Sequence, residues 1–206
     1  MKEEKKNVYQ VAGSIIGRLE LGKNKDPDTK AVLAALRDSI GRPLKEADKV
    51  WPMLFEALPS SFLGTKGRET YEEAAIYSTL QIYAICMQGA AGSVVATDDM
   101  KESIGKSLGT GRRADESQAL DRRFNAMMTA VTYEEFIYHL RHIIKIVKSK
   151  VVITINFARL ADDLFWYQMG KNKDICFKWA TDYYSNVNIS GVDVPGEKEE
   201  SSNVEL

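Results

Sequence analysis

Cysteine is scarce in this sequence: 206 residues contain two, Cys86 and Cys176. Each sits among apolar neighbours, and neither belongs to a CxxC pair or a Cys/His spacing that would hold zinc. Buried thiols in a reducing cytoplasm are the expectation. Net charge is lacking too, since 28 Lys and Arg stand against 29 Asp and Glu. Paired strand signals are missing: Val151–Ile155 is the only β-prone run, and alone it cannot build a sheet. There is no internal repeat, and the charged start Met1–Lys6 leads into no apolar core of a signal peptide. One stretch, Ala74 to Thr97, has no charged residue at all and is long enough to cross a bilayer. Ser78, Thr79, Gln81, Gln88, two tyrosines and the Gly89–Gly92 break instead predict a buried central helix ending near Gln88, so no membrane span is expected.

What is present is helical periodicity. An apolar content of 44% with 28% charged residues is ordinary for a globular protein. Val11, Ile15, Ile16 and Leu19 mark a first helix over Tyr9–Leu21, stopped near Gly22. Asp28 is the expected N-cap of a second helix, with Val32, Leu33, Leu36 and Ile40 inward and Gly41 at its end. Pro43 opens a segment carrying Trp51, Leu54, Phe55 and Leu58, and Pro59–Arg68 reads as a loop. The helix from Thr70 to about Gln88 is apolar on two sides and belongs inside a bundle. Leu120, Phe124, Met127 and Met128 mark the core side of a later helix. Thr132 to Glu135 reads as a capping box that opens a helix with the stripe Phe136, Leu140, Ile143 and Val147. Asn156 caps another helix, and a last one over about Asp174–Ser185 is expected to bury Phe177, Trp179 and Tyr183. The fold class is all-α: a helical bundle in two small lobes, 1–97 and 98–190, with no substantial sheet, followed by an acidic, disordered tail at 191–206.

Against the neutral whole, residues 101–150 hold ten Lys or Arg and six Asp or Glu, an excess of +4. Local positive charge on a balanced protein points to phosphate. The region opens with Ile104–Arg113, read as a basic, glycine-rich loop, and continues into two helices. On the second helix Arg141, Lys145 and Lys148 form a basic stripe at i, i+4 and i+7; the helix rises about 10 Å over that span, enough to touch more than one phosphate of a strand. The plain alternative is a solvated charged face.

Other motifs need a context that this chain lacks. Gly105–Gly109 satisfies G-x-S-x-G around Ser107, but a nucleophile elbow requires a strand before it and a sheet beneath. Gly105-Lys106-Ser107 mimics the end of a phosphate-binding P-loop, yet Met100 stands where its first glycine belongs. Glu135, His139 and His142 share one helix without the HExxH spacing, so no metal or other cofactor is expected.

GKSLG, a basic link, LDRRF, then HLRHIIKIVKS and INFARLADDLFWY, with LAALRDSIGRP at residues 33–43 upstream, together resemble the CasB family, the small subunit of the type I-E CRISPR surveillance complex Cascade. The resemblance covers roughly residues 30–185 and is strongest from Gly105 to Trp166. It implies an all-helical, non-catalytic subunit of antiviral defence that lies against crRNA-bound backbone subunits, the large subunit and a second copy of itself. It also implies a basic surface that holds target and displaced DNA strands and stabilises the R-loop. Carried onto this chain, the implied phosphate contacts are Lys106, Arg112 with Arg113 beside it, Arg122, Arg123 and Arg141, and Arg37 from the N-terminal lobe. Lys145 and Lys148 rest on the helical stripe alone. A helical protein–protein adaptor without nucleic-acid contact is the alternative; a serine hydrolase through Ser107 comes third.

Overall fold

A computed structural model describes residues 7–96, 103–112 and 117–185. The expected tail at 191–206 and Arg113 lie outside the described residues. The helices are α1 (Val8–Gly22), α2 (Pro27–Asp38), α3 (Trp51–Ala57), α4 (Tyr71–Met87), α5 (Ile104–Gly109), α6 (Ser117–Met128), α7 (Tyr133–Lys150), α8 (Phe157–Trp166) and α9 (Asn172–Ser185). Short 3₁₀ turns join α2 to α3 and α3 to α4, and a π-turn over Tyr167–Lys171 joins α8 to α9. Among the described residues there is no strand, and the fold is all-α.

Local chemistry explains the helix starts. Asn7 and Gln10 cap α1 reciprocally, as Thr70 and Glu73 cap α4. For α2 the cap is Asp26, not the expected Asp28: its carboxylate accepts from the Asp28 and Thr29 amides at 3.2 and 3.1 Å. The reason is Pro27, which fits the first helical position because that amide would be unpaired anyway. At α7, Thr132 Oγ1 accepts from the Glu135 amide at 3.1 Å, as expected. The reciprocal half of the box moves back one residue, with Glu135 accepting from the Val131 amide at 2.8 Å.

The core is one connected cluster of buried side chains drawn from both halves of the chain. Helix α4 runs through it, every residue from Ala75 to Cys86 being buried. Around α4 pack α2, α7 and α8, while α1 lies along α8 and α5 along α9. Val151–Ile155 makes no sheet: Ile155 bridges Val94 and Ala96 through 2.9 and 3.0 Å hydrogen bonds, pinning the α4–α5 connection to the approach of α8. In α9 the buried stripe is Ile175, Trp179 and Tyr183, spaced i, i+4, i+8. Phe177, expected inside, is 76% exposed because it stands nearly opposite Trp179 on the helix.

The stretch expected to be a glycine-rich loop is helix α5 from Ile104 to Gly109. Ser103 caps it, accepting from the Gly105 amide at 3.1 Å, and Ile104 and Leu108 bury one face. Its glycines serve packing. A Cβ on Gly105 would overlap the Trp179 carbonyl, lying 2.8 Å from the carbon and 2.9 Å from Cα, and one on Gly111 would sit 2.8 Å from Val147 Cγ2.

Candidate nucleic-acid interface

Helix α7 presents its stripe to two neighbours. Phe136, Leu140, Ile143 and Val147 are buried, so Arg141 and Lys148 fall on the flank facing α4 and Lys145 on the side facing solvent. Lys148 Nζ donates to the carbonyls of Ile85 and Gln88 at the C-terminal end of α4, where a cation suits the helix dipole. Burial lowers its pKa, Arg37 on α2 lowers it further, and only Cys86 acts in the opposite direction. Arg37 itself is half-buried in the last turn of α2. Exposed Lys145 and half-buried Lys148 border a shallow recess of 270 Å³ together with Ile85, Gln88 and Ser149. Residues of α4 and α7, far apart in sequence, thus meet at this recess.

Arg141 borders a separate, larger cleft beside α4 and is not the free surface cation that its position on the stripe predicts. It is half-buried, and its Nη2 donates to Gln81 Oε1. Gln81 in turn donates to the Ser39 carbonyl at 2.7 Å and to Ser39 Oγ at 3.1 Å. Tyr77 adds hydrogen bonds to the carbonyls of Ser39 and Arg42 at 3.3 and 3.2 Å. A polar relay therefore joins α2, α4 and α7, and burial lowers the Arg141 pKa.

The remaining candidates divide. Arg122 and Arg123 project to solvent from α6, Arg123 donating Nη1 to the Ala119 carbonyl at 3.1 Å. Lys106 is exposed on α5. Arg112 instead is spent on packing: it grips Asp121 through Nε at 2.9 Å and Nη2 at 3.2 Å. Its guanidinium carbon lies 5.2 and 5.0 Å from the ring centres of Tyr183 and Tyr184. It fastens the chain after α5 to α6 and α9 rather than standing ready for phosphate.

Ser107 lies within α5 and donates its hydroxyl to the Thr154 carbonyl at 2.7 Å, so the proton a nucleophile must lose to a base is held by the backbone. Among the described residues no group of three or more His, Cys, Asp or Glu is placed to hold a metal ion. His142 stacks edge-on against Tyr138 at 4.4 Å, and His139 lies 3.9 Å from Glu135. Among the described residues no helix is long and apolar enough to cross a membrane.

Sequence reasoning overlooked the cleft itself. Gly41–Leu44, Tyr77, Ser78, Tyr133, Tyr138 and Arg141 border a cavity of 580 Å³ that the reading of basic residues alone does not reveal. Its one trace in the sequence is the polar pair Tyr77 and Ser78 inside the uncharged stretch that begins at Ala74.

An all-α protein with exposed cations on α5, α6 and α7 and a polar relay joining α2, α4 and α7 is the class that fold and site define. Residues 32–184 match the family of the CRISPR-associated protein Cse2, and the chain belongs to that family. The fold is similar to CasB from Thermobifida fusca, at 22% identity over 86% of this chain and 97% of that one, with a TM-score of 0.66. It is also similar to a Cse2-family protein from Thermus thermophilus, at 22% identity over 84% and 97%, TM-score 0.62. A chain of a CRISPR RNA-guided surveillance complex matches at 18% identity over 87% and 95%, TM-score 0.63. No curated protein matches the chain.

Proposed function

We propose that this protein is a non-catalytic small subunit of a type I-E Cascade complex, working in the cytoplasm in antiviral defence. It packs against the crRNA-bound backbone subunits, the large subunit and a second copy of itself, and it holds DNA strands of the R-loop by their phosphates. The observation that carries this is the pair Lys145 and Lys148 on α7 at the rim of a recess shared with the end of α4, in a Cse2-family chain whose total charge is only −1. Strand-holding needs backbone-directed charge and no base readout, because the guide RNA reads sequence. R-loop formation is nearly balanced, so a few such contacts tip it. A chain neutral overall avoids bystander nucleic acid while keeping local cations where a strand passes.

The proposed contacts are Arg37, Lys106, Arg122, Arg123, Lys145 and Lys148, with Arg113 in the same set. Arg112 and Arg141 support the surface from beneath, through Asp121 and Gln81. The test is R-loop lifetime against salt in the assembled complex, wild type beside the Arg122→Ala, Arg123→Ala, Lys145→Ala triple variant. All three side chains are exposed, so folding and docking should survive. Removing one phosphate interaction with a single strand lowers the salt slope by about 0.7, so removing three should make it shallower by about 2, with guide specificity unchanged. An unchanged slope with intact assembly would favour the protein–protein adaptor.

A further inference from the structure

Arg141 is costly where it stands. Its guanidinium makes one hydrogen bond among the described residues, to the neutral Gln81, and no carboxylate among them pairs with it. Its Nε is buried without a partner. A half-buried cation without a counter-ion is destabilising on its own, which points to a group that arrives from outside. The cavity it borders, 580 Å³, has room for a nucleotide-sized ligand.

The lining decides the chemistry of the occupant. Arg42 and Arg141 supply two cations, and Glu69 and Glu134 supply two carboxylates. These cancel, so a phosphate gains no net attraction inside the cleft and would meet like charge at its wall. An uncharged flat ring carrying both acceptors and donors can use guanidinium and carboxylate at once. Aromatic walls are there to receive it: Tyr133 and Tyr138 line the cavity from α7, and Tyr138 remains 54% exposed. We propose that the cleft receives one unstacked nucleobase of a single strand whose phosphates run past Lys145 and Lys148. Those lysines follow Arg141 on the same helix by about 6 and 10 Å of rise, within reach of neighbouring nucleotides of one strand. Stacking on tyrosine and on a guanidinium plane suits every base, so the pocket adds affinity without reading sequence.

This assignment rests on the strand-holding reading, and the experiment separates the two. The full chain is titrated at low salt with a fluorescent single-stranded 12-mer and with a 12-mer of identical phosphate spacing that carries no bases. The normal strand should bind about tenfold more tightly, the contribution of one stacked base. Tyr138→Ala, an exposed change, should remove that advantage and leave binding of the base-free strand and the salt slope as they were. Arg141→Lys, which keeps the charge but loses the flat fork, should reduce the advantage in the same direction. Equal binding of the two strands by the wild type, or an advantage that survives both substitutions, would overturn the pocket alone. Binding of neither strand would overturn the strand-holding reading along with it. Should Tyr138→Ala release the subunit from the assembled complex with strand binding unchanged, the cleft is a socket for a protein side chain and the assignment falls.

Discussion

Arg112 and Arg122 carry the same charge and belong to one basic region, yet burial gives them different work. Arg112 holds Asp121 with two hydrogen bonds beneath the rings of Tyr183 and Tyr184. Truncation would strand a half-buried carboxylate, whose remaining bond is a 2.8 Å donation from the Tyr183 hydroxyl. Arg112→Ala should therefore cost about 2 kcal/mol in urea unfolding. Arg122→Ala, on the exposed side of α6, should stay within about 0.5 kcal/mol. Equal effects would mean that Arg112 is as solvated as Arg122. A second residue-scale test concerns pH. Burial pushes the Glu20 carboxyl up, but hydrogen bonds from Lys23, Tyr83 and Ser93 together outweigh it and hold the pKa below the ordinary 4.5. An acid with a lowered folded-state pKa contributes stability above its unfolded-state value, and that contribution disappears as pH falls through the folded value. Glu20→Gln should thus be less stable than wild type at neutral pH, with the gap closing on acidification below 4.5. A gap that persisted at about pH 3 in denaturant titrations would contradict this.

At the scale of elements, the α5–α9 contact shows how a motif can mislead. Gly105 looks like part of a phosphate-binding or nucleophile loop, but it is the point where the α9 backbone approaches α5 too closely for any side chain. Gly105→Ala should destabilise the protein by about 1–3 kcal/mol, because a backbone carbonyl cannot step aside as a flexible side chain can. Gly17 is the control. It lies in α1 with nothing within 4 Å of a Cβ, so Gly17→Ala should gain about 0.5–1 kcal/mol of helix propensity. Melting temperatures of the pair decide the matter: a neutral Gly105→Ala would mean that α5 and α9 do not meet as described.

For the whole molecule the question is cooperativity. The two sequence-derived lobes, 1–97 and 98–190, divide the chain at a connection, but buried side chains on either side join one cluster. Helix α1 rests on α8, and α4 on both α7 and α8. Trp51 reports from the first half, and Trp166 and Trp179 from the second. Unfolding followed by far-ultraviolet dichroism and by tryptophan fluorescence, in the wild type and in Trp51→Phe, should therefore give coincident transitions. Two separated transitions would establish lobes that fold on their own.

Sequence periodicity was sufficient for the helical class, for the central burial of α4, and for the inward stripes of α1, α6 and α7, because a 3.6-residue repeat of apolar side chains has one economical solution. Basic residues could be counted in the same way, and a family resemblance could be drawn from ordered motifs. What each cation does was not legible. Arg112 and Arg122 differ only in which face of the packed bundle receives them, and Arg141 differs from Lys145 by about 40° of helix rotation toward α4. The cleft between the Gly41–Leu44 segment and α7 has only the polar residues of α4 as a local trace, since its walls come from segments brought together only when α4 is buried between them. Local sequence sets which residues can be helical and which side of a helix is apolar. Distance in space, and so desolvation, ion pairing and the meeting of Arg141 with Gln81, is decided by the tertiary fold, because electrostatic energies depend on separation and burial rather than on order along the chain.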